Sequence, residues 1–367
     1  MILQHNKIDE SDATLQLSVI IPIHSGQDTI GKCINSINKQ NFKQFELILL
    51  DDGSTDNSIK MIKEFLSKLY FTCEFIVHDK NQGIADTLNE GIKRAKGKYV
   101  LIMHQDCELA NNNYFYEALE TLKINPNTTA LCGKPIYPVS EFGFWEKVFM
   151  IHSGHSNKES NIEMEEISFS EHKCDIFITK ILFQNGGFDQ KNFKFSGEDQ
   201  MKSYQLKSMG FRLIRNNRLL FIQRYGKSVA SFNGLYKKIF NWGLFQSKVI
   251  LLTHGKILGK ENRTKDLDKR IKNRFLGIFL VLLFISFGLL FLENQNPIFM
   301  FSMLSLASIR GFYLILKKKR KELKMGKISL FIAGIATFLG DIFYFMGLFV
   351  GTIATIGSML SKILFKY

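Results

Sequence analysis

From Phe275 to Leu292 the chain reads FLGIFLVLLFISFGLLFL, eighteen residues without a charge. Roughly 20 such residues make a helix that spans the hydrocarbon core of a bilayer, so a transmembrane helix is expected at 275–292. A second apolar run, 298–316, is interrupted by Arg310, and a third, 328–364, by Asp341 and Lys362. The third is too long for one straight span; it is expected to cross to about Val350 and to continue as an interfacial or re-entrant piece. Basic flanks argue against a buried hairpin of a soluble protein. Lys317–Lys321, with Lys324 and Lys327, follows the second run, and 256–274 is also rich in Lys and Arg. Such residues favour the cytoplasmic side, which leaves the short loop 293–297 on the far side. Arg310, about 9 Å of helix from Leu316, reaches the inner interface by snorkelling. Asp341 is expected to pair with Arg310 or an interfacial Lys; an acid at that depth is otherwise a sign of function.

Before residue 275 the apolar stretches are short and broken by Gly, Asn and Asp. Across the 367 residues 46% are apolar and 22% charged, with only 5 Pro. That supplies a sizeable core, is too charged for a wholly embedded protein, and excludes collagen-like or largely disordered chains. The net charge of +14 is accounted for by membrane topology and anionic-lipid attraction. No zinc-finger, helix-turn-helix or RNP pattern appears, so no nucleic-acid partner is expected. Cys33, Cys73, Cys107, Cys132 and Cys174 form no CxxC pair or zinc spacing and read as reduced core thiols. Residues 1–16 are a polar tail without an apolar signal region.

The remaining part alternates. Leu17–Ile23, Phe45–Leu50, Cys73–His78 and Lys98–Met103 read as buried strands, and 29–39, 57–69 and 84–95 as the helices between them. This order predicts a doubly wound, mostly parallel sheet, whose ligands bind beyond the carboxyl ends of the strands. Polar clusters fall at those ends: Ser25, Asp51 with Asp52, Asp79, and His104 with Asp106. Residues 151–173 are polar and weakly periodic, as in a mobile loop over a site, with His152 and His155 solvated.

There is no P-loop, dinucleotide fingerprint, nucleophile elbow or HExxH. Strand-end carboxylates without a P-loop point to a phosphate site bridged by Mg²⁺ or Mn²⁺. Asp106 is the leading ligand; His104 lies two residues before it, on the same face of an extended chain, and imidazole suits Mn²⁺ better. Lys180, ahead of an NGGFD loop, is a candidate diphosphate contact, and Asn89 a bridge within the fold.

These pieces together resemble the family 2 glycosyltransferases of GT-A fold. The likeness is carried by SVIIPIHSG, SINKQNFKQFELILLDDGSTDNS, NQGIADTLNEGIKRAKGKYVLIMHQD, NGGFDQ and GEDQMKSYQLKSMGFR, over roughly residues 17–215. The resemblance implies a nucleotide-diphospho-sugar transferase with a Rossmann-like sheet, followed here by transmembrane helices. It implies that Pro22 and His24 border the nucleotide. Asp52 contacts the base, commonly uracil, and Asp79 lies near base or ribose. Asp106, as the last acid of the family's DxD, binds the metal, with His104 where the first acid would stand. Gln105 and Glu198 fall in the donor site. Asp199 of the GED motif is the general base of an inverting single displacement.

Some family features differ. The DxD reads His104-Gln105-Asp106, the later metal-binding His is not evident near Gln223–Gly226, and the processive QxxRW is missing. In its place 236–243, YKKIFNWG, resembles an amphipathic surface segment with Trp242 as anchor. The expected organisation is a tail (1–16), a GT-A catalytic domain (17–230), a basic membrane-surface connector (231–274) and a membrane domain (275–367). The expected function is transfer of one sugar from a nucleotide sugar, UDP-linked by preference, to a lipid-linked saccharide or polyprenyl phosphate. The catalytic domain is expected at the cytoplasmic face of the cell membrane. The alternatives are a catalytically degenerate membrane scaffold and, less favoured, a lipid transporter.

Overall fold

The computed structural model describes residues 2–5, 15–258, 265–295, 298, 302–303, 305–306, 308–309 and 322–364. Arg310, Lys317–Lys321 and most of the run 298–316 lie outside the described residues. In chain order the elements are β1 (Ile2–His5), β2 (Leu17–Ile23), α1 (Ile30–Asn38), β3 (Phe45–Asp51), α2 (Ser58–Leu66), β4 (Cys73–Val77), α3 (Ile84–Arg94), β5 (Tyr99–Met103), β6 (Cys107–Leu109), α4 (Tyr114–Ile124), β7 (Thr128–Ile136), α5 (Phe144–Ser153), β8 (Met164–Glu166), β9 (Cys174–Ile178), α6 (Thr179–Gln184), α7 (Glu198–Ser208), β10 (Arg212–Gln223), α8 (Phe232–Leu252), α9 (Lys265–Asn294) and α10 (Lys327–Leu364). The chain divides into two compact units. Unit 1 is Met1–Tyr137 with Lys158–Gly226, and unit 2 is Pro138–Asn157 with Lys227–Tyr367.

Unit 1 is built on one sheet in the order β1-β4-β3-β2-β5-β9-β7-β10-β6, with β8 on the side of β10. The expected strands β2, β3, β4 and β5 are all present and pair in parallel. Two features were not foreseen. Ile2–His5, within the expected tail, pairs antiparallel with β4, and β9 runs antiparallel between β5 and β7.

Buried strands in such a sheet must be apolar on both faces, and this one is. Val19, Ile21, Leu47 and Leu49 pack with Ile30, Ile34, Ile62 and Phe115 on one side. Ile20, Ile48 and Leu50 pack with Leu88, Ile92, Leu182 and Leu206 on the other. Each such side chain contributes roughly 1.5–3 kcal/mol of burial. Both layers end where the strands end, which leaves the polar turns as the floor of a site.

The expected mobile loop is mostly anchored. Its start is the end of α5, in unit 2, and within unit 1 Met164–Glu166 pairs with β10. Ser170 and His172 are buried. His172 donates its backbone N–H to Asp175 Oδ2 at 2.9 Å, and the Ser170 hydroxyl bonds the same oxygen.

In unit 2, the stretches Leu276–Glu293 and Lys327–Met359 are long and apolar enough to cross a membrane by length and composition. The third apolar run is one continuous helix of 38 residues, about 57 Å long. Helix α8 lies along it, extending well past the expected 236–243 segment. Tyr236, Ile239, Gly243 and Ser247 form its buried stripe, and the Tyr236 hydroxyl donates to the Ala336 carbonyl at 2.9 Å. Gly347 and Gly351 face α8 so closely that a Cβ at either would collide with its backbone. Small residues four apart are how membrane helices bring their backbones together. His152 is not solvated: it is buried in α5, with Nδ1 3.7 Å from Asp341 Oδ1. Trp242 packs on Phe149, ring centroids 5.1 Å apart.

Candidate active site

The DDGSTDNS block explains itself once folded. The turn after β2 is pinned by it: the Ser25 N–H donates to Ser54 Oγ at 2.8 Å, Gly26 to Ser58 Oγ at 2.8 Å, and Gln27 to Asp56 Oδ2 at 3.1 Å. Ser25 sits at φ 50°, a region that non-glycine residues occupy when their surroundings hold them there.

The two acids of the block face opposite ways. Asp51 accepts from the Ser54 N–H at 2.9 Å and is fully buried. Asp52 is 4% exposed, and its carboxylate accepts from the Gln82 N–H at 2.7 Å, the Gly83 N–H at 2.9 Å and His78 Nδ1 at 3.1 Å. Asp52 therefore ties down the 78–83 loop, which presents exposed Asp79. Gly83 has φ 103°, and a Cβ there would meet the Lys194 carbonyl, so only glycine lets this loop approach.

His24 is exposed and donates from Nδ1 to the Asp52 carbonyl at 3.0 Å. Gln105 clamps the His24 peptide from both ends, accepting its N–H and donating to its carbonyl, each at 3.0 Å. Pro22, by contrast, is buried within β2 and does not line the site surface. Asn89 bridges as expected, accepting from the Phe188 N–H at 2.7 Å and donating to Gln190 at 2.9 Å.

Lys180 is not brought to the other residues. Strand β9 runs antiparallel to β5, pairing Met103 with Cys174 and Tyr99 with Ile178. Its leading end therefore meets the carboxyl end of β5, and Lys180, exposed on α6, sits at the opposite edge. The residue that does arrive is Lys173. Its carbonyl accepts the His104 N–H at 3.0 Å, and its ammonium donates to His104 Nδ1 at 3.2 Å. Burial works against this ammonium, but Asp106, and then Glu171 and Asp199, outweigh it and raise the Lys173 pKa above the ordinary lysine value.

Opposite stands the start of α7. Glu198 is 6% exposed, and burial followed by the charge of Asp199 pushes its carboxyl well up. Asp199 is also raised by burial and by Glu171, while the Gln200 N–H, donating at 2.7 Å, and Lys173 pull the other way. A carboxylate raised in this way is a stronger base than an ordinary aspartate, and Asp199 keeps partial exposure.

The expected divalent ion can be tested against these residues. Nδ1 of His104 faces the Lys173 ammonium at 3.2 Å, so its lone pair is taken by that donor. Gln105 is committed to His24. The strand end beside Asp106 brings the Arg224 N–H to its carbonyl at 2.9 Å. Among the described residues no group of three His, Cys, Asp or Glu could hold a metal. Asp106 remains, with the Lys173 ammonium in its field and with Glu171 and Asp199 acting on that ammonium as well. As these residues stand they do not fit a resident Mn²⁺ or Mg²⁺, and the Nδ1 of His104 is turned to Lys173.

An α/β unit with this sheet and its polar residues beyond the strand ends has the GT-A fold. The model of the family "Glycosyl transferase family 2" matches residues 18–184. The chain thus carries a family 2 glycosyltransferase domain over residues 18–184. Its relatives include the poly-beta-1,6-N-acetyl-D-glucosamine synthase of Staphylococcus epidermidis, 31% identical over 119 residues, 32% of this chain and 28% of that protein. The match thus spans under a third of that relative. The cholesterol galactosyltransferase of Borreliella burgdorferi is 24% identical over 300 residues, 77% of each chain. Among solved structures, the mannosyltransferase PcManGT from Pyrobaculum calidifontis, in complex with GDP-Man and Mn²⁺, covers 89% of this chain and 87% of its own. Its TM-score is 0.54 at 14% identity, a likeness of fold.

Proposed function

We propose that this chain is an inverting glycosyltransferase. In this reading it moves one sugar from a nucleotide-diphosphate sugar, UDP-linked by preference, to a hydroxyl of a lipid-borne acceptor. Unit 1 is the catalytic part, and the apolar helices of unit 2 attach it to the membrane with unit 1 cytoplasmic. The observation that carries the reading is Asp199. It lies in the first turn of α7, keeps partial exposure and a raised basicity, and shares the field of Lys173 with Asp106 at the carboxyl end of β5.

The chemistry follows from the groups. Asp199 takes the proton of the acceptor hydroxyl as its oxygen attacks the anomeric carbon. The new C–O bond forms on the face opposite the diphosphate, the old one breaks, and the nucleoside diphosphate departs with the electron pair. A phosphate acceptor is already ionised and needs no base, so an intact Asp199 favours a hydroxyl over polyprenyl phosphate. A relative named for galactosyl transfer to cholesterol is in keeping with a lipid hydroxyl. On the nucleotide side, His24 and Asp79 are the exposed contacts, and Asp52 and Gln105 hold the turns that carry them.

Asp199→Asn is expected to lower sugar transfer by about 100-fold or more, the upper part of the range for general-base loss, while binding of UDP by the full chain is unchanged. Transfer within about threefold of the unaltered chain would refute the base assignment.

A further inference from the structure

We propose that Lys173 is a catalytic residue of this chain: its ammonium hydrogen-bonds the donor's diphosphate and meets the charge that grows on the departing nucleoside diphosphate, so that donor binding needs no divalent ion. The inference rests on the nucleotide-sugar reading above and adds to it the group that handles the leaving phosphate.

Three observations carry it. The first is position. The antiparallel register of β9 against β5 delivers Lys173 directly beside His104, at the strand end where the acids gather. A lysine at the other end of β9, such as Lys180, cannot reach it.

The second is the way the ammonium is held. A lysine kept only to balance acids sits on a carboxylate oxygen. Lys173 donates instead to a ring nitrogen of His104 at 3.2 Å, while Asp106, Glu171 and Asp199 act on it through their charge. An ammonium has three donors, and His104 uses one. The remaining N–H groups are available to phosphate oxygens, to which an ammonium makes charge-assisted bonds.

The third is the company it keeps. Asp106, Glu171 and Asp199 surround it at longer range, and all of them, like Lys173 and His104, keep partial exposure. A ligand can therefore reach the cluster. Asp106 accepts well from sugar or ribose hydroxyls, which leaves the phosphate oxygens to Lys173. When the anomeric C–O bond breaks, the electron pair stays on the phosphate oxygen. Hydrogen bonding from Lys173 lowers the energy of that anion with no proton or electron left over.

The test is equilibrium binding of UDP, GDP and dTDP to the full chain in detergent, with EDTA and separately with Mn²⁺. For the unaltered chain, one of the three is expected to bind in EDTA with a Kd within about threefold of that in Mn²⁺. Lys173→Met is expected to weaken that binding about 10- to 100-fold, as loss of a charged hydrogen bond does. Lys173→Arg is expected to restore most of it. Uridine, guanosine or thymidine, which lack phosphate, should bind the Met variant and the unaltered chain alike, which separates loss of the phosphate contact from a general collapse of the site. Should Lys173→Met fail to fold, the EDTA comparison on the unaltered chain still decides. Binding that requires Mn²⁺ and ignores Lys173→Met would overturn the inference and leave the donor reading standing. No binding by any of the three under either condition would overturn the donor reading and this inference with it.

Discussion

In unit 1 a buried carboxylate such as Asp52 accepts from two backbone N–H groups and a histidine, and both faces of the sheet are covered by helices. In unit 2 cohesion comes from backbones brought into contact along Gly347 and Gly351. There Phe279, Leu282, Ile285 and Leu289 of α9, and Ile332, Phe349, Ile353 and Ile356 of α10, remain exposed. The first arrangement suits water, where burying apolar surface is rewarded and buried polar groups must be matched. The second suits lipid, where apolar side chains gain little by hiding and close packing of small residues holds helices together. Under the proposed reading one chain answers to two solvents, and each half should break in its own way.

The largest effect is expected in unit 2. Gly347→Leu forces a branched side chain into the Phe240 carbonyl and should destabilise the full chain in detergent by about 3 kcal/mol or more, the upper range for overpacking. Phe349→Ala, on an exposed position of the same helix, should stay within about 0.5 kcal/mol. Equal thermal midpoints for the two variants would mean that the glycine seam does not hold these helices.

A smaller effect sharpens the picture of unit 1. Buried His172, its pKa lowered to about 3 by burial and by Lys202 and Lys173, resists protonation in the folded state, whereas buried Asp175 is raised to about 6. Between the ordinary aspartate value of 3.8 and pH 6, unfolding takes up a proton at His172 and releases one at Asp175. The two slopes, each about 1.4 kcal/mol per pH unit, oppose. Stability should therefore be nearly flat with pH in that window. Asp175→Asn leaves the histidine alone, so stability should fall as pH is lowered. His172→Phe leaves the aspartate, so stability should rise as pH is lowered. Parallel pH profiles for both variants would show that these groups are not buried as described.

Much of this was legible in the sequence, and the exceptions share a cause. The four parallel strands were readable because a strand buried on both faces is a continuous apolar run. DDGSTDNS was readable as a turn running into a helix because its internal hydrogen bonds are local. The position of Lys173 beside His104 was not, since it depends on β9 running backwards, and the run CDIFI carries no mark of direction. Lys180 was misplaced for the same reason. His152 looked solvated because its partner, Asp341, lies 189 residues away in sequence, beyond any local pattern. The strand Ile2–His5 was missed because four residues ahead of a polar stretch leave too short a pattern to read.

The central claim is that unit 1 transfers sugar and unit 2 keeps it with its lipid acceptor. The most direct measurement incubates membranes carrying the full chain with radiolabelled UDP-, GDP- and dTDP-sugars and follows label into the organic extract. The account predicts organic-phase label from one nucleotide class, lost in Asp199→Asn and retained in EDTA. Release of free sugar alone, or no turnover of any donor, would contradict it.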